Sequence, residues 1–225
     1  MTNEIIFIIH TFCVSIFTIG AAIIGTQALI VITIVHCILA NIFVTKQVNL
    51  FFFAATGTDA FIIGSVLGLN LLQEYGGSQI ARKTIFINFF ALCYVICASI
   101  IQLWYIPNNF DDTHAAFAHI LSPLPRIGFV SVVVFFIEQY CDYLFFQFLK
   151  RLFNDNYFVL RNFISTALCQ LLDTVLFTYF ALSGIVENLF EVGLMSYSVK
   201  LLAIFVISPM VFLGQKTILK KIKSD

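Results

Sequence analysis

The chain has 225 residues, of which 60% are hydrophobic and only 11% charged, and its acidic and basic side chains balance at a formal net charge of zero. A soluble domain carries about 25% charged residues, so this composition, with a mean hydropathy of +0.99, excludes an ordinary soluble domain. The sequence contains no basic tail of the kind that would indicate nucleic-acid binding. The composition predicts an all-α, polytopic transmembrane helical bundle in contact with the lipid bilayer.

Seven apolar segments are each close to the roughly 20 residues that a helix needs to cross a bilayer. The first has no positively charged residues before its apolar run and only Glu4 as an early charge, which favours a transmembrane helix over a signal peptide. A tight turn is expected around Gly25-Thr26 and a long, acidic, turn-rich linker from Pro107 to Pro125. The predicted spans are 5–24, 27–44, 50–72, 84–104, 127–149, 160–184 and 196–214.

The third predicted span is more polar than the others. Asp59 follows Gly57 and Thr58 near its start, where it fits either a functional role or a helix cap. Gly64 and Gly68 form a Gly-x-x-x-Gly pair, which allows a neighbouring helix to approach closely. Asn70 lies near the other end of this span, and a buried amide in a membrane needs a hydrogen-bond partner.

The positive charges fix an expected orientation. Nine Lys and Arg side chains fall on the side of the bundle that holds the C-terminus, whereas Lys46 and Arg126 fall on the other side and Lys200 lies within the last span. Because cytoplasmic loops are enriched in Lys and Arg, we predict a cytoplasmic C-terminus and an external N-terminus. The nine are Arg82, Lys83, Lys150, Arg151, Arg161, Lys216, Lys220, Lys221 and Lys223.

One polar pattern occurs twice between residues 138 and 177, in a predicted helical hairpin. The sequence Gln139-x-x-Asp142-x-x-x-Phe146 is followed 31 residues later by Gln170-x-x-Asp173-x-x-x-Phe177. These spacings place an amide, a carboxyl and a ring on one face of each helix. The four amide and carboxyl groups are expected within about 6 Å of one another in depth. Both copies lie near the middle of membrane-spanning segments, where burying an ionisable side chain costs at least roughly 2.5 to 3.5 kcal/mol. This cost indicates a functional role.

Neither a metal site nor a cofactor is predicted. The six cysteines lie inside apolar runs without a Cys-x-x-Cys pair or a Cys/His cluster, and we interpret them as packing residues. The chain has no Gly-x-x-x-x-Gly-Lys-Ser/Thr phosphate loop, so it is not expected to hydrolyse ATP itself.

Several of these residues together resemble the queuosine-precursor transporter family, over about residues 45–220. They are Asn70-Leu-Leu-Gln-Glu74-Tyr75-Gly76, Ala81-Arg82-Lys83, Gln139-x-x-Asp142, Ser165-Thr166-x-x-x-Gln170-x-x-Asp173-Thr174 and Lys200. The family is of the vitamin-uptake-transporter type and distantly like the substrate-binding subunits of energy-coupling-factor transporters. It usually has an acidic residue where Asn70 stands.

The resemblance implies a single transporter domain over 1–225, with a six-helix core and an extra N-terminal helix at about 5–24. It also implies import of a small 7-deazapurine for tRNA modification, across the inner membrane of a bacterium, and no enzymatic activity. The substrate is expected to be 7-cyano- or 7-aminomethyl-7-deazaguanine, or queuine. The oligomeric state is not predicted.

A 7-deazaguanine has N–H donors at N1 and N2 and an acceptor at O6. Carboxylates suit the two donors, amides or a lysine suit O6, and aromatic rings, including Tyr140 and Tyr143, suit the flat base. Glu138 supplies a further carboxylate for an aminomethyl cation. The predicted substrate-binding residues are Asn70, Glu138, Gln139, Asp142, Phe146, Gln170, Asp173, Phe177 and Lys200.

Structural interpretations of the same residues stay open. The aspartates and glutamines could join helices without a ligand, Phe146 and Phe177 could pack or face lipid, and Glu138 could pair with Lys200. His10 and His36 are expected to be packing residues.

The mechanism also stays open at this point. The clustered carboxyls suit proton symport, and the alternatives are a binding subunit of an ATP-driven micronutrient importer, a structural membrane protein, or an intramembrane carboxylate enzyme. The last is weakened by the missing Gly-x-Gly-Asp motif.

Overall fold

The computed structural model of the protein describes residues 2–153 and 158–202. Within these residues the chain is a bundle of α-helices with one short β-hairpin, which confirms the helical fold class predicted from composition. The helices are α1 Asn3–Ile24, α2 Thr26–Phe43, α3 Asp59–Leu71, α4 Ser78–Trp104, α5 His114–Leu121, α6 Leu124–Leu152, α7 Phe158–Leu182 and α8 at 189–202.

Several helices are long and apolar enough to cross a membrane. Among the described residues four segments meet this criterion, and two shorter apolar helices, Asp59–Leu71 and Ala167–Leu182, accompany them. This pattern agrees with a multi-pass membrane protein. The four segments are Asn3–Ile24, Thr26–Phe43, Gln79–Trp104 and His114–Glu138.

The tight turn predicted between the first two helices is confirmed. Gly25 alone separates α1 from α2, and its φ of 150° lies in a region that favours glycine. Its N–H donates to the carbonyl of Ala21 at 3.0 Å, and its own carbonyl accepts from the N–H of Leu29 at 3.1 Å. The two helices therefore pack side by side with almost no connecting loop.

The prediction of a single membrane-spanning helix at 50–72 was wrong. Strands β1 Gln47–Leu50 and β2 Phe53–Thr56 pair in antiparallel fashion before α3 begins. The two turn residues, Phe51 and Phe52, have φ of 49° and 71°, as a two-residue hairpin turn requires. Hydropathy counted the three successive phenylalanines as membrane-spanning, whereas Phe52 is fully exposed at the tip of the hairpin.

The hairpin is fixed at one end of the bundle by hydrogen bonds to distant parts of the chain. Its partners are the start of α1, the turn at 183–188 and the start of α8. All of these segments must therefore lie at the same end. The bonds join Asn3 to Asn49, Glu4 to Phe51, Gln47 to Ile185 and Ala54 to Glu191.

Two other segments differ from the sequence prediction. The linker from Pro107 to Pro125 contains helix α5, which leads directly into α6. The seventh span was predicted at 196–214, but α8 already begins at 189, and residues 203–214 lie outside the described chain. A π-helical turn, Leu72–Gly76, joins α3 to α4.

Close packing of α3 against α1 and α2 depends on its two central glycines. A Cβ added at Gly64 would overlap Val14 and lie 2.8 Å from Nδ1 of His36, and one added at Gly68 would overlap Oγ1 of Thr33. The prediction that this Gly-x-x-x-Gly pair permits a close helix approach is confirmed. Helices α6 and α7 also pack along each other, as predicted for the hairpin at 138–177.

Candidate functional site

An ion pair joins α7 to α8 in the interior of the bundle. The ammonium of Lys200 contacts the carboxylate of Asp173 and also donates to Oγ1 of Thr174 at 3.2 Å. The side chains of Lys200 and Asp173 are only 10% and 23% exposed. A buried charge in a membrane protein is tolerated when it is paired, so each of these residues explains how the other can be buried.

A second polar contact joins α6 to α7. Nε2 of Gln170 donates to Oε1 of Glu138 at 2.7 Å, and the carbonyl of Gln170 accepts from the Thr174 hydroxyl at 2.7 Å. Residues 170, 173 and 174 share a face of α7, because positions three and four apart lie above one another on a helix. The Thr174 hydroxyl thus donates to the backbone of Gln170 and accepts from the ammonium of Lys200.

A third contact brings α3 to the same helix that carries Lys200. The hydroxyl of Ser196 donates to Oδ1 of Asp59 at 2.8 Å, and Asp59 is only 1% exposed. Ser196 precedes Lys200 by four residues, so both lie on one face of α8. Asp59 begins α3 directly after the hairpin.

These contacts form one polar seam, which we define as Asp59, Glu138, Gln170, Asp173 and Lys200. Direct side-chain contacts join α6 to α7 and α7 to α8, and the Ser196 hydroxyl joins α8 to α3. Four of its members were predicted as binding residues from the sequence. The structure thus brings together Glu138, Gln170, Asp173 and Lys200, although whether they bind a ligand stays a prediction.

Other predicted residues lie elsewhere. Phe177 packs against a cluster of buried aliphatic residues that includes Ile127 and Ala181, which favours the packing interpretation. Asn70 is half-buried on α3, about 16 Å along the helix from Asp59. Tyr140, considered as an aromatic partner for the base, is 66% exposed. The predictions for Gln139, Asp142, Tyr143 and Phe146 fall on side chains outside the described residues.

The pairing considered for Glu138 with Lys200 differs from the pairing observed. Lys200 contacts Asp173 instead, and Glu138 accepts from Gln170. The sequence could not distinguish these pairings, because it gives depths along helices but not the rotation of each helix about its axis. His36 is buried against Gly64, and the ring of His10 contacts Phe61 edge-on at 4.6 Å. Both histidines pack as expected.

Three residues of the site were not selected from the sequence. Asp59 was left between a functional and a capping role, and Thr174 and Ser196 were not considered as partners. A usable signal existed for Ser196, since it lies one turn before Lys200 on the same helix face. The position of Asp59 at the start of α3 could not be predicted, because hydropathy assigned the hairpin before it to a single membrane-spanning helix.

Comparison with known proteins gives two matches. Residues 56–214, well over half of the chain, match the family described as "Putative vitamin uptake transporter". The chain belongs to this vitamin uptake transporter family. It is also 29% identical, over 182 residues, to a protein of Bacillus subtilis (strain 168) named "Probable queuosine precursor transporter". That alignment covers 80% of this chain and 80% of the relative. No solved structure matches the chain.

The family match covers the polar seam of this vitamin uptake transporter family member but not its first two helices. Every residue of the polar seam lies inside the matched region 56–214, whereas α1, α2 and β1 precede it. The apolar helices and the transporter relative together identify a multi-pass membrane protein. Family and relative alike are named as transporters rather than as enzymes.

Proposed function

We propose that the protein imports a queuosine precursor, namely 7-cyano- or 7-aminomethyl-7-deazaguanine, or queuine, across the bacterial cytoplasmic membrane for tRNA modification. The observation that carries the proposal is the buried Lys200–Asp173 pair between α7 and α8. It lies in a chain whose family and relative are both named as transporters. A purely structural bundle does not require such a pair, because apolar packing of similar volume is often equally stable or more stable.

The chemistry of the pair suits a guanine-type base. In this proposal the carboxylate of Asp173 accepts the N1 and N2 donors of the base, and Lys200 turns from Asp173 to the O6 acceptor. Each charge then keeps a partner of opposite polarity throughout the exchange. This matters because removing one partner of a buried pair costs about 3 to 5 kcal/mol.

The contact between Glu138 and Gln170 suits the substituent at position 7 of the base. Glu138 accepts from Gln170 at 2.7 Å, and a carboxylate there would attract the cation of an aminomethyl base more strongly than a neutral cyano base. We include proton symport in the proposal, because Glu138 and Asp173 lie in one apolar bundle with a third acid, Asp142, in the sequence. Uptake that persists after the proton gradient has been collapsed would count against symport alone.

The proposed orientation places the hairpin outside and the C-terminus in the cytoplasm. Its support is the excess of Lys and Arg on the opposite side from Lys46 and Arg126. Lys46 directly precedes β1, and Arg126 donates from the start of α6 to the carbonyl of Phe180 near the end of α7. We also retain the proposal that α1 is an addition to a six-helix family core.

Complementation tests the proposed function. The chain is expressed in a bacterium that lacks both precursor synthesis and its own importer, each of the three bases is supplied separately, and queuosine in tRNA is measured. We expect at least one base to restore queuosine and Asp173→Asn to reduce uptake at least tenfold. The matched control is Asp111→Asn, an exposed carboxyl that bonds only within its own loop in the described chain and should have no effect.

The outcome also separates the competing mechanisms. Restoration in a host without ATP-driven micronutrient modules would exclude a dependent binding subunit. If the protein is made and inserted but none of the three bases restores queuosine, the proposed substrate is wrong.

A further inference from the structure

A cavity of about 340 Å³ lies at the hairpin end of the bundle, away from the Lys200–Asp173 and Gln170–Glu138 pairs, and it shares only Asp59 with the polar seam. Its walls come from the first half of α1, the end of α2, both strands and the start of α3. This volume lies within the range of small-molecule pockets, about 300 to 1,000 Å³. The wall residues used below are His10, Phe43, Lys46, Asp59 and Phe61.

Asp59 is the residue that makes this cavity more than a packing gap. It belongs to the wall, is 1% exposed, and offers two carboxylate oxygens. Oδ1 accepts from Ser196, whereas Oδ2 has no hydrogen-bond partner in the part of the chain that the structure describes. A buried acceptor left without a donor is unfavourable, so a ligand that brings an N–H donor gains from completing it.

The rest of the wall suits a flat ring. Phe61 stacks on Phe43 with ring centroids 5.7 Å apart and meets His10 edge-on at 4.6 Å. Aromatic walls favour a planar heterocycle through offset or edge contacts. Lys46 and His10 add polar side chains that can serve an acceptor on the same ligand.

We propose that this cavity is a second binding subsite of the transport pathway, which takes a planar nitrogen heterocycle through an N–H donor to Oδ2 of Asp59. The proposal rests on the proposed function and extends it from one binding position to two. Asp59 bonds Ser196, and Ser196 shares a face of α8 with Lys200. The subsite therefore connects through one helix face to the Lys200–Asp173 pair.

The subsite also gives a role to segments that precede the family match. His10, Phe43 and Lys46 all come before residue 56, where the match begins, while Asp59 and Phe61 lie inside it. The cavity thus forms only because α1 and the hairpin fold against α3. In the proposed orientation it faces outward, so it would be the first position that an entering base occupies.

Chemical footprinting of the unmodified protein tests the subsite. The purified chain in lipid nanodiscs is acylated with an amine-reactive ester, with and without saturating 7-cyano-7-deazaguanine, which has no aliphatic amine of its own. The rates at Lys46 and Lys83 are followed by mass spectrometry. Both side chains are exposed, but Lys83 lies near the start of α4 and outside the cavity wall. We expect at least fivefold protection of Lys46 and none of Lys83.

Two variants assign the protection to the carboxylate. Asp59→Asn keeps an oxygen for Ser196 but loses the charged acceptor, and protection of Lys46 should fall at least fivefold at the same ligand concentration. In the control variant Asp111→Asn, the ligand should protect Lys46 as strongly as in the wild type. Protection should also persist in Asp173→Asn, because the cavity binds separately from the Lys200–Asp173 pair. Loss of protection in Asp173→Asn would show that the two positions are not separate and would overturn the proposal.

The combination of footprint and import distinguishes the two proposals. Import of the base without any protection of Lys46 overturns the subsite and leaves the proposed function intact. Protection of Lys46 without import supports the subsite and contradicts the proposed function. Absence of both contradicts both.

Discussion

Two buried aspartates of this protein have very different surroundings. Asp173 contacts the ammonium of Lys200, so its charge is compensated within the bundle. Asp59 is more deeply buried, yet one of its oxygens accepts from a neutral hydroxyl and the other has no hydrogen-bond partner among the described residues. Burial alone therefore does not define a site. The first carboxylate must exchange a partner to bind a ligand, whereas the second can simply gain one.

The largest effect is expected from removing the cation that compensates the charge of Asp173. Lys200→Met removes the cation and leaves Asp173 buried without it, which should reduce the free energy of unfolding by about 3 to 5 kcal/mol and abolish uptake. Denaturant unfolding in detergent micelles measures the first effect, and uptake of labelled base into vesicles measures the second.

The double variant Asp173→Leu/Lys200→Met is the matched control. Removing both charges should restore most of the stability without restoring uptake, because apolar replacement of a buried pair is often neutral. A Lys200→Met protein as stable as the wild type would show that the pair is not buried as described.

The next effect concerns the neutral partner of Asp59. Ser196→Ala removes the hydroxyl that donates to Oδ1, so a buried acceptor loses its donor and the free energy of unfolding should fall by about 1 to 3 kcal/mol. Ser198→Ala is the control, since that hydroxyl donates to the carbonyl of Leu194 in its own helix. Its effect should stay within about 0.5 kcal/mol. Equal effects of the two serine variants would contradict the assigned role of Ser196.

The smallest effect disturbs the packing of α3 against α1 and α2 without touching the Lys200–Asp173 pair. Gly64→Ala places a methyl group against Val14 and His36, and overpacking of this kind costs about 1 to 3 kcal/mol. Replacing glycine inside a helix returns up to about 1 kcal/mol. Gly20→Ala on α1 meets no atom within 4 Å and should be neutral or slightly stabilising. Thermal unfolding compares the two variants.

Much of the fold followed from single-residue chemistry. Long apolar runs predicted the helices, and the break around Gly25-Thr26 predicted a tight turn, which the structure forms at Gly25 alone with a φ of 150°. Spacing also placed Gln170 and Asp173 on one face of α7 and so selected residues of the polar seam. The hairpin escaped this reasoning, because Phe51, Phe52 and Phe53 raise hydropathy equally in a helix, a strand or a turn.

The sequence by itself determined the class of this protein, since 60% hydrophobic and 11% charged residues can be accommodated only where lipid replaces water around most of the surface. It also determined which polar side chains lie in apolar surroundings. Only the tertiary structure decided their partners: Lys200 with Asp173, Gln170 with Glu138, and Ser196 with Asp59. The reason is geometric, because periodicity gives the face of one helix whereas a contact depends on the relative rotation and distance of two.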